Sequence, residues 1–416
     1  MIVLCLLVVT MPFVRHPFWA GTAGDLTGVK YLGAVCLGYA ILALAVRPRP
    51  LAVTSSWQSR CFIALALLGM TSSLLWGQTL PVELSPFMNY LSFLGLFFAT
   101  RILVDSERAL RLVVLTAVGT MAYGSLHMIR EWQKYGGFAA GYRPGWIFGD
   151  SNYFTLSALL VLPLSFYLLG ILETWWQRWL CLACLAVMLF AVTLAASRGG
   201  FLGLAVAALL VALRADRTVY RLSLTALVLT PLLLLSPSSP LQRFMTPSHG
   251  DQESVENREL LWMAGLRMVE AHPVVGIGAG NFKTLVSTDP TWPTGRSWVA
   301  HNTYLEVAAE LGVPGLLLFL GVIAGSYITA RRVARGRASP VIRQVAEALQ
   351  PALAGFAVAS FFVSAQYTKL FWLMVFLSAC LPSLADAANE DPDDPPWIAP
   401  RAAEAADTRR GGESQQ

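Results

Sequence analysis

The chain has 416 residues, of which 56% are hydrophobic and 13% are charged, and its mean hydropathy is +0.57. Soluble domains carry about 25% charged residues, so the composition excludes an ordinary soluble protein and favours the lipid bilayer as the solvent. The formal net charge of +5 does not indicate a nucleic-acid partner. The basic residues occupy short connectors between apolar runs and form no stripe with interleaved aromatic residues.

The N-terminal stretch MIVLCLLVVTMPFV has no basic leader and no small-residue cleavage site, so a short first helix is expected there rather than a signal peptide. All six cysteines of the chain lie within or at the edge of apolar segments, whereas a disulfide framework needs them in external loops. Cys181 and Cys184 form a CxxC pair with no second pair, and we expect them to pack inside a membrane helix.

Apolar runs recur at about the length that crosses ~30 Å of hydrocarbon, which predicts an all-α polytopic membrane protein with about 12 transmembrane helices. The first, eighth and last runs are short. The runs lie near residues 2–14, 29–46, 61–77, 86–104, 109–129, 152–172, 179–197, 200–213, 219–236, 303–329, 349–365 and 370–385.

The connectors predict the orientation of this transmembrane domain, residues 1–385. Arginine and lysine are enriched in the connectors that face the cytoplasm if the N-terminus is inside, as the charge bias of membrane proteins requires. Both termini are therefore expected in the cytoplasm, and the long loop 237–300, between helices 9 and 10, is expected outside. Residues 386–416, rich in Pro, Asp, Glu and small residues, predict a disordered cytoplasmic tail.

Two arginines lie near the predicted outer ends of apolar runs. Arg198, in TLAASRGGFLGLA, is either a snorkelling interfacial residue or is retained for a partner, a cavity or a substrate, because a guanidinium near hydrocarbon is costly. Arg143 begins the loop RPGWIFGDSNYF, in which Asp150, Ser151 and Asn152 suit the N-terminal cap of the next helix. Arg143 could add charge at the rim of a shared site.

Arg258 is predicted to open a helix from about Asn257 to Ala271, after a run of acidic residues that suit a helix N-terminus. An arginine is unfavourable at that end of a helix dipole, so it either pairs with those acids or serves a ligand. The following GIGAGNF has neither a preceding strand nor a following helix start that would support a phosphate-binding loop. Its glycines are expected to end the helix stopped by Pro273 and to allow a tight turn.

His301 precedes NTYLEVAAEL, which places it and Asn302 in the cap region of a helix that enters the membrane. The positive end of the helix dipole lowers a histidine's pKa, so the imidazole would be neutral and able to accept a proton. The same end of the helix favours anions such as phosphates.

Asn302, Glu306 and Glu310 recur at intervals of four and share one face of this helix, which Gly312 and Pro314 should break or kink. The other acids lie at segment ends or in loops, which argues against a proton-coupled transporter. No cluster with metal-ligand spacing is present, so no metal site is expected.

These motifs together resemble the O-antigen ligase and polymerase-like family of bacterial inner-membrane proteins. They are SRGG after an apolar helix, a long external loop with R, LW, HP and GNF, and then HNTYLEVAAELGVPGLLLFL. The family includes lipopolysaccharide O-antigen ligases, polysaccharide polymerases and protein O-glycosylation ligases. The resemblance covers roughly residues 145–330.

The resemblance implies a glycan donor carried on undecaprenyl diphosphate, and an acceptor hydroxyl at the periplasmic face, with no metal, nucleotide sugar or other cofactor. Arg198 and Arg258 would neutralise the leaving diphosphate, and His301 would deprotonate the acceptor. Asn302, Glu306 and Arg143 are possible supporting residues. The acceptor is left open between a lipid core, a growing polysaccharide and a protein. The alternatives to transfer are a transporter or flippase of polyisoprenoid-linked sugars and a structural assembly partner.

Overall fold

A computed structural model of the protein describes residues 1–13, 15, 28–48, 53–75, 84–136, 142–213, 249–290 and 297–389. All regular secondary structure in these ranges is helical, which confirms the predicted all-α class. The α-helices there are, in chain order, α1 (Ile2–Thr10), α2 (Gly28–Val46), α3 (Trp57–Leu75), α4 (Leu84–Leu103), α5 (Glu107–Lys134), α6 (Ser151–Leu168), α7 (Trp175–Ala195), α8 (Arg198–Leu213), α9 (His249–Ala271), α10 (Phe282–Val286), α11 (Thr303–Arg335), α12 (Pro340–Ala359) and α13 (Lys369–Asn389).

Eight of the helices in these ranges, α2 to α7, α11 and α13, are long and apolar enough to cross a membrane. Helix α8 is apolar but has only 16 residues. Helix α1 has 9 residues and rises only about 14 Å. The run predicted at 219–236 and the tail from residue 390 onward lie outside the described residues, so the number 12 and the disordered tail stay predictions.

Helix α12 lies at the centre of the helix packing and contacts α6, α8 and α11. It approaches α8 closely because glycines face each other there: a side-chain carbon on Gly203 would lie 2.5 Å from the carbonyl oxygen of Gly355. Small residues at such crossings allow helix backbones to pack in contact inside a membrane. Helix α12 therefore brings the start of α8 and the start of α11 to one region.

The boundaries of α12 differ from the predicted span at 349–365. The helix begins after its cap, Ser339, whose Oγ accepts a hydrogen bond from the Ile342 N–H at 3.3 Å. It ends at Ala359 because the backbone groups that follow form hydrogen bonds with Thr303 instead of continuing the helix. The Thr303 N–H donates to the Ser360 carbonyl at 2.9 Å, and the Thr303 hydroxyl accepts from the Ala365 N–H at 2.9 Å. Residues 360–368 therefore form a loop against the start of α11.

Helix α9 corrects a second prediction, because it begins at His249 and not near Asn257. The acidic residues that were expected to precede the helix therefore lie within it. Arg258 therefore sits in the middle of α9, and the argument that it faces an unfavourable dipole does not apply to it.

Helix α11 is broken at Gly312, as predicted, where the backbone has φ 70° and ψ −179°. The loop after α9 fills the break: the Ile277 N–H donates to the Ala309 carbonyl at 2.8 Å, and the Gly278 N–H donates to the Glu310 carbonyl at 3.1 Å. In return the Val313 N–H donates to the Pro273 carbonyl at 2.8 Å. The glycines of GIGAGNF thus allow a tight turn, as expected, and also dock α9 and the loop that follows it on α11.

Candidate functional site

His301 lies immediately before α11, in a left-handed backbone conformation with φ 51°. Asn302 is the N-terminal cap that was predicted, and its Oδ1 accepts hydrogen bonds from the Tyr304 and Leu305 N–H groups at 3.0 and 3.1 Å. The Trp298 indole N–H donates to His301 Nε2 at 3.0 Å. Since Nε2 accepts in this arrangement, the neutral imidazole carries its proton on Nδ1.

The backbone of Ala300, directly before His301, is held on both sides. Its N–H donates to Glu306 Oε2 at 3.0 Å, and its carbonyl accepts from the Trp262 indole N–H at 3.0 Å. Trp262 lies one turn after Arg258 on α9. The helix that carries Arg258 is thus tied to the segment that carries His301.

Glu306 is the centre of a buried hydrogen-bond network and is only 3% exposed. Besides the Ala300 N–H, its carboxylate accepts from the Ser364 hydroxyl, and from Gln366 Nε2 at 2.6 Å. Ser364 and Gln366 belong to the 360–368 loop. Glu306 therefore joins that loop to the His301 segment, which is a positioning role within the predicted supporting set.

Arg198 and Arg258 are both half-buried and come from different parts of the chain. Arg198 is the first residue of α8, after Ala196, whose φ of 46° turns the chain between α7 and α8. Burial and then the neighbouring charge of Arg198 lower the pKa of Arg258, while Asp150 acts in the opposite sense. The two guanidinium groups are therefore close enough for their charges to interact.

The environment of His301 keeps its imidazole neutral. Burial, and then the positive charge of Arg258, lower the pKa of His301 to about 4, and Asp150 partly opposes this shift. A neutral ring was expected from the helix dipole, and the shift of its pKa here is caused by burial and by the charge of Arg258. The structure thus brings Arg198, Arg258 and His301 into one electrostatically connected group, with Asp150 at its edge.

Arg143 lies beside this group but is bound to helix ends. Its Nε donates to the Ala195 carbonyl at 3.0 Å, at the C-terminus of α7, and one terminal nitrogen donates to Asn152 Oδ1 at 3.3 Å. A cation at a helix C-terminus is favourable. Arg143 therefore fixes the turn before Arg198 against the start of α6, where Asp150 is the N-terminal cap as predicted.

Several residues of this region were not predicted from the sequence. Trp262 could have been found, because it follows Arg258 at helical spacing and shares its face. Ser364 and Gln366 fall within or beside a run that was predicted as membrane helix, and no local pattern distinguishes them. Trp298 stands in a loop where only its contact with His301 reveals its position.

The fold and the site define a polytopic membrane protein in which an arginine at the start of α8, an arginine in the middle of α9 and a neutral histidine before α11 interact. Residues 183–320, a third of the chain, match the model of a family described as O-antigen ligase, which confirms the resemblance to that family. The matched segment contains Arg198, Arg258 and His301, and it supports glycan transfer in general as the activity. No curated protein matches the chain.

Proposed function

We propose that the protein transfers a glycan from undecaprenyl diphosphate to an acceptor hydroxyl at the periplasmic face of the inner membrane. The observation that carries this proposal is the connected group of Arg198, Arg258 and His301, in which Arg258 interacts electrostatically both with Arg198 and with a histidine that remains neutral. Two cations suit a diphosphate, and a neutral imidazole suits the removal of a proton from an alcohol.

In the proposed reaction the acceptor oxygen attacks the anomeric carbon of the first donor sugar. The bond between that carbon and the diphosphate oxygen breaks, and undecaprenyl diphosphate leaves with the bonding electron pair. The proton of the acceptor hydroxyl passes to His301 and then to solvent. Charge develops on the leaving oxygen, so the guanidinium groups of Arg198 and Arg258 stabilise the transition state more than the ground state.

His301 Nε2 is the ring nitrogen with the available lone pair, and the Trp298 indole N–H occupies it at 3.0 Å. The acceptor hydroxyl must take the place of the indole before the proton moves. Trp298 is 45% exposed, so it can turn away without opening the core.

The test is glycan transfer by membranes that contain Arg198→Ala, Arg258→Ala or His301→Ala at equal protein levels. His301→Ala should lower the rate by about 10²–10⁴-fold, which is the usual contribution of a general base. Arg258→Lys should recover part of the loss in Arg258→Ala, since it restores charge without the paired geometry.

Arg267→Ala is the matched control, because Arg267 lies on the same helix as Arg258 and pairs with Asp289 at 2.7 Å on the surface. It should transfer at the normal rate. Near-normal transfer in Arg198→Ala, Arg258→Ala and His301→Ala would refute the proposal.

The runner-up, a transporter or flippase, gains one observation from the structure: Glu306 and Glu310 are both buried within α11. Buried carboxylates within a membrane helix are a feature of proton-coupled transport. A transporter would move a labelled polyprenyl-linked sugar across vesicles containing the purified protein, and it would form no glycosylated product.

A further inference from the structure

A cavity of about 780 Å³ lies next to the His301 segment, between α6, α10, α11 and the 360–368 loop. Val299 and Glu306 line it on the side of His301, and Tyr153, Thr284 and Gln366 line other walls. Its volume falls in the range of about 300–1,000 Å³ that is usual for small-ligand sites. Neither Arg198 nor Arg258 is among the described residues that line it.

The walls of this cavity are rich in hydrogen-bond acceptors. Glu306 and Glu310 lie one turn apart on α11, and they are 3% and 2% exposed. The Tyr367 hydroxyl, which also lines the cavity, donates to Glu310 Oε2 at 3.2 Å. Three basic residues, Arg15, Lys283 and Lys369, also line the cavity, so its walls offer a ligand both hydrogen-bond acceptors and charged donors.

The side-chain amide of Gln366 is a second, independent indication, beside the cavity itself, that a ligand binds here. Its side chain is 4% exposed, and its Nε2 donates to Glu306 at 2.6 Å, which fixes the orientation of the amide. In the described part of the chain its Oε1 receives no hydrogen bond. Buried acceptors are nearly always satisfied in folded proteins, so a donor from outside the chain is expected at this atom.

A neutral ligand with many hydroxyl groups satisfies these conditions. Its hydroxyls would donate to Gln366 and to the free lone pairs of the two carboxylates. The aromatic side chains of Phe148 and Tyr153, also at the cavity wall, would cover the apolar faces of such a ligand. A saccharide has this combination of donor groups and apolar C–H faces.

We propose that this cavity binds the sugar of the acceptor, with Gln366 Oε1 accepting a hydrogen bond from one of its hydroxyls. The assignment rests on the proposed function. An incoming oxygen approaches the anomeric carbon from the side opposite the leaving diphosphate, which the two arginines would hold. The cavity adjoins Val299, two residues before the base His301, and neither Arg198 nor Arg258 is among its described lining residues.

The first test measures saccharide binding to the purified full-length protein by saturation-transfer NMR. The probes are the methyl glycosides of glucose, galactose and N-acetylglucosamine, because none of them needs the donor or the reaction. Thr284→Trp fills the mouth from an exposed position on α10, and Gln366→Leu removes the buried acceptor. Both should lower the transferred signal at least about threefold, in line with a lost hydrogen bond to the ligand.

Leu285→Trp is the matched control, since Leu285 is exposed on the same short helix and does not line the cavity. It should bind the glycosides like the unsubstituted protein. Binding of none of the three glycosides by the unsubstituted protein, or equal binding by Thr284→Trp and Leu285→Trp, would overturn the proposal. Thr284→Trp keeps the test decisive if Gln366→Leu does not fold.

The second test separates the acceptor sugar from the donor sugar. In a transfer assay, Thr284→Trp should raise the KM for the acceptor about tenfold and leave the KM for the lipid-linked donor within about twofold. A rise in the donor KM alone would overturn the assignment to the acceptor. If the proposed function itself were wrong, the His301→Ala protein would transfer glycan at the normal rate, whatever the result of the binding test.

Discussion

His301 has an unfavourable backbone conformation, and the residues on both sides of it are held by hydrogen bonds. A left-handed conformation costs a residue other than glycine about 1–3 kcal/mol, and such strain persists where surrounding contacts impose it. Here Ala300 is bound through both its N–H and its carbonyl, and Asn302 caps the helix that follows. These bonds hold the backbone on both sides of His301, whose imidazole interacts electrostatically with Arg258.

The pH dependence of transfer should report the lowered pKa of His301. The neutral form, which accepts the proton, is complete well above the pKa of about 4 and is lost as the pH falls through it. The kcat/KM of transfer, which reports the free enzyme, should therefore be flat from about pH 8 to about pH 5 and fall below that. Rates measured across this range, with protein integrity checked after each exposure, test this prediction.

Arg258→Gln should move the midpoint of this acid limb upward, because it removes the charge that disfavours the imidazolium. The Arg258→Gln protein should show this shift of the midpoint even though its maximal rate of transfer is lower. A midpoint close to the ordinary histidine value of about 6.5 in the unsubstituted protein would contradict the burial and charge that the structure assigns to His301.

The two tryptophans near His301 should differ in their effect on the rate. Trp262→Phe removes the hydrogen bond to the Ala300 carbonyl and should lower kcat about three- to tenfold, the size of one buried hydrogen bond. Trp298→Phe removes the N–H that competes for Nε2, so its kcat should be equal to or above that of the unsubstituted protein. Equal losses in the two variants would show that Trp298 orients the ring instead of competing for its lone pair.

At the scale of elements, the break in α11 is the joint between the membrane helices and the loop that follows α9. Gly312 has φ 70°, and a side-chain carbon there would lie 2.4 Å from the Val274 carbonyl oxygen. Gly276 has φ 68°, and a carbon there would lie 2.3 Å from the Glu310 carbonyl oxygen. Glycine is therefore required on both sides of this joint.

Gly312→Ala and Gly276→Ala should each lower the melting temperature of the purified protein in detergent by more than about 4 °C, since each adds backbone strain and a clash with a carbonyl group. Gly119→Ala is the control, because an added carbon there meets no atom within 4 Å. A melting temperature equal to that of Gly119→Ala in both variants would contradict the tight docking of the loop on α11.

The sequence predicted the positions of the helices better than the long-range contacts between them. The apolar runs identified each described membrane helix, and Asn302 and Gly312 were recognised from local chemistry alone. The 360–368 loop was assigned to a helix because Phe361, Phe362 and Val363 are as apolar as a membrane span. This loop leaves the helical conformation of α12 only because it forms hydrogen bonds to Thr303 and Glu306, which are distant in the chain. Long-range contacts of this kind leave no periodic signal.

At the scale of the whole molecule, α11 relates the site to the membrane. It contains 33 residues from Thr303 to Arg335, with a break at Gly312, and at about 1.5 Å per residue it is longer than the hydrocarbon layer of ~30 Å. We therefore expect its two ends on opposite sides of the bilayer. The C-terminal end and the residues after it carry Arg331, Arg332, Arg335 and Arg337, which favours the cytoplasm for that end.

The proposed periplasmic position of the site can be tested by labelling single introduced cysteines in spheroplasts with a membrane-impermeant maleimide. Glu270→Cys, exposed near the end of α9, should react in intact spheroplasts. Arg335→Cys, exposed at the far end of α11, should react only after the membrane is opened. The unsubstituted protein gives the background, since in the structure its six cysteines are free thiols that are buried or half-buried. The reverse pattern would place His301 in the cytoplasm, where it could not meet a donor at the outer face.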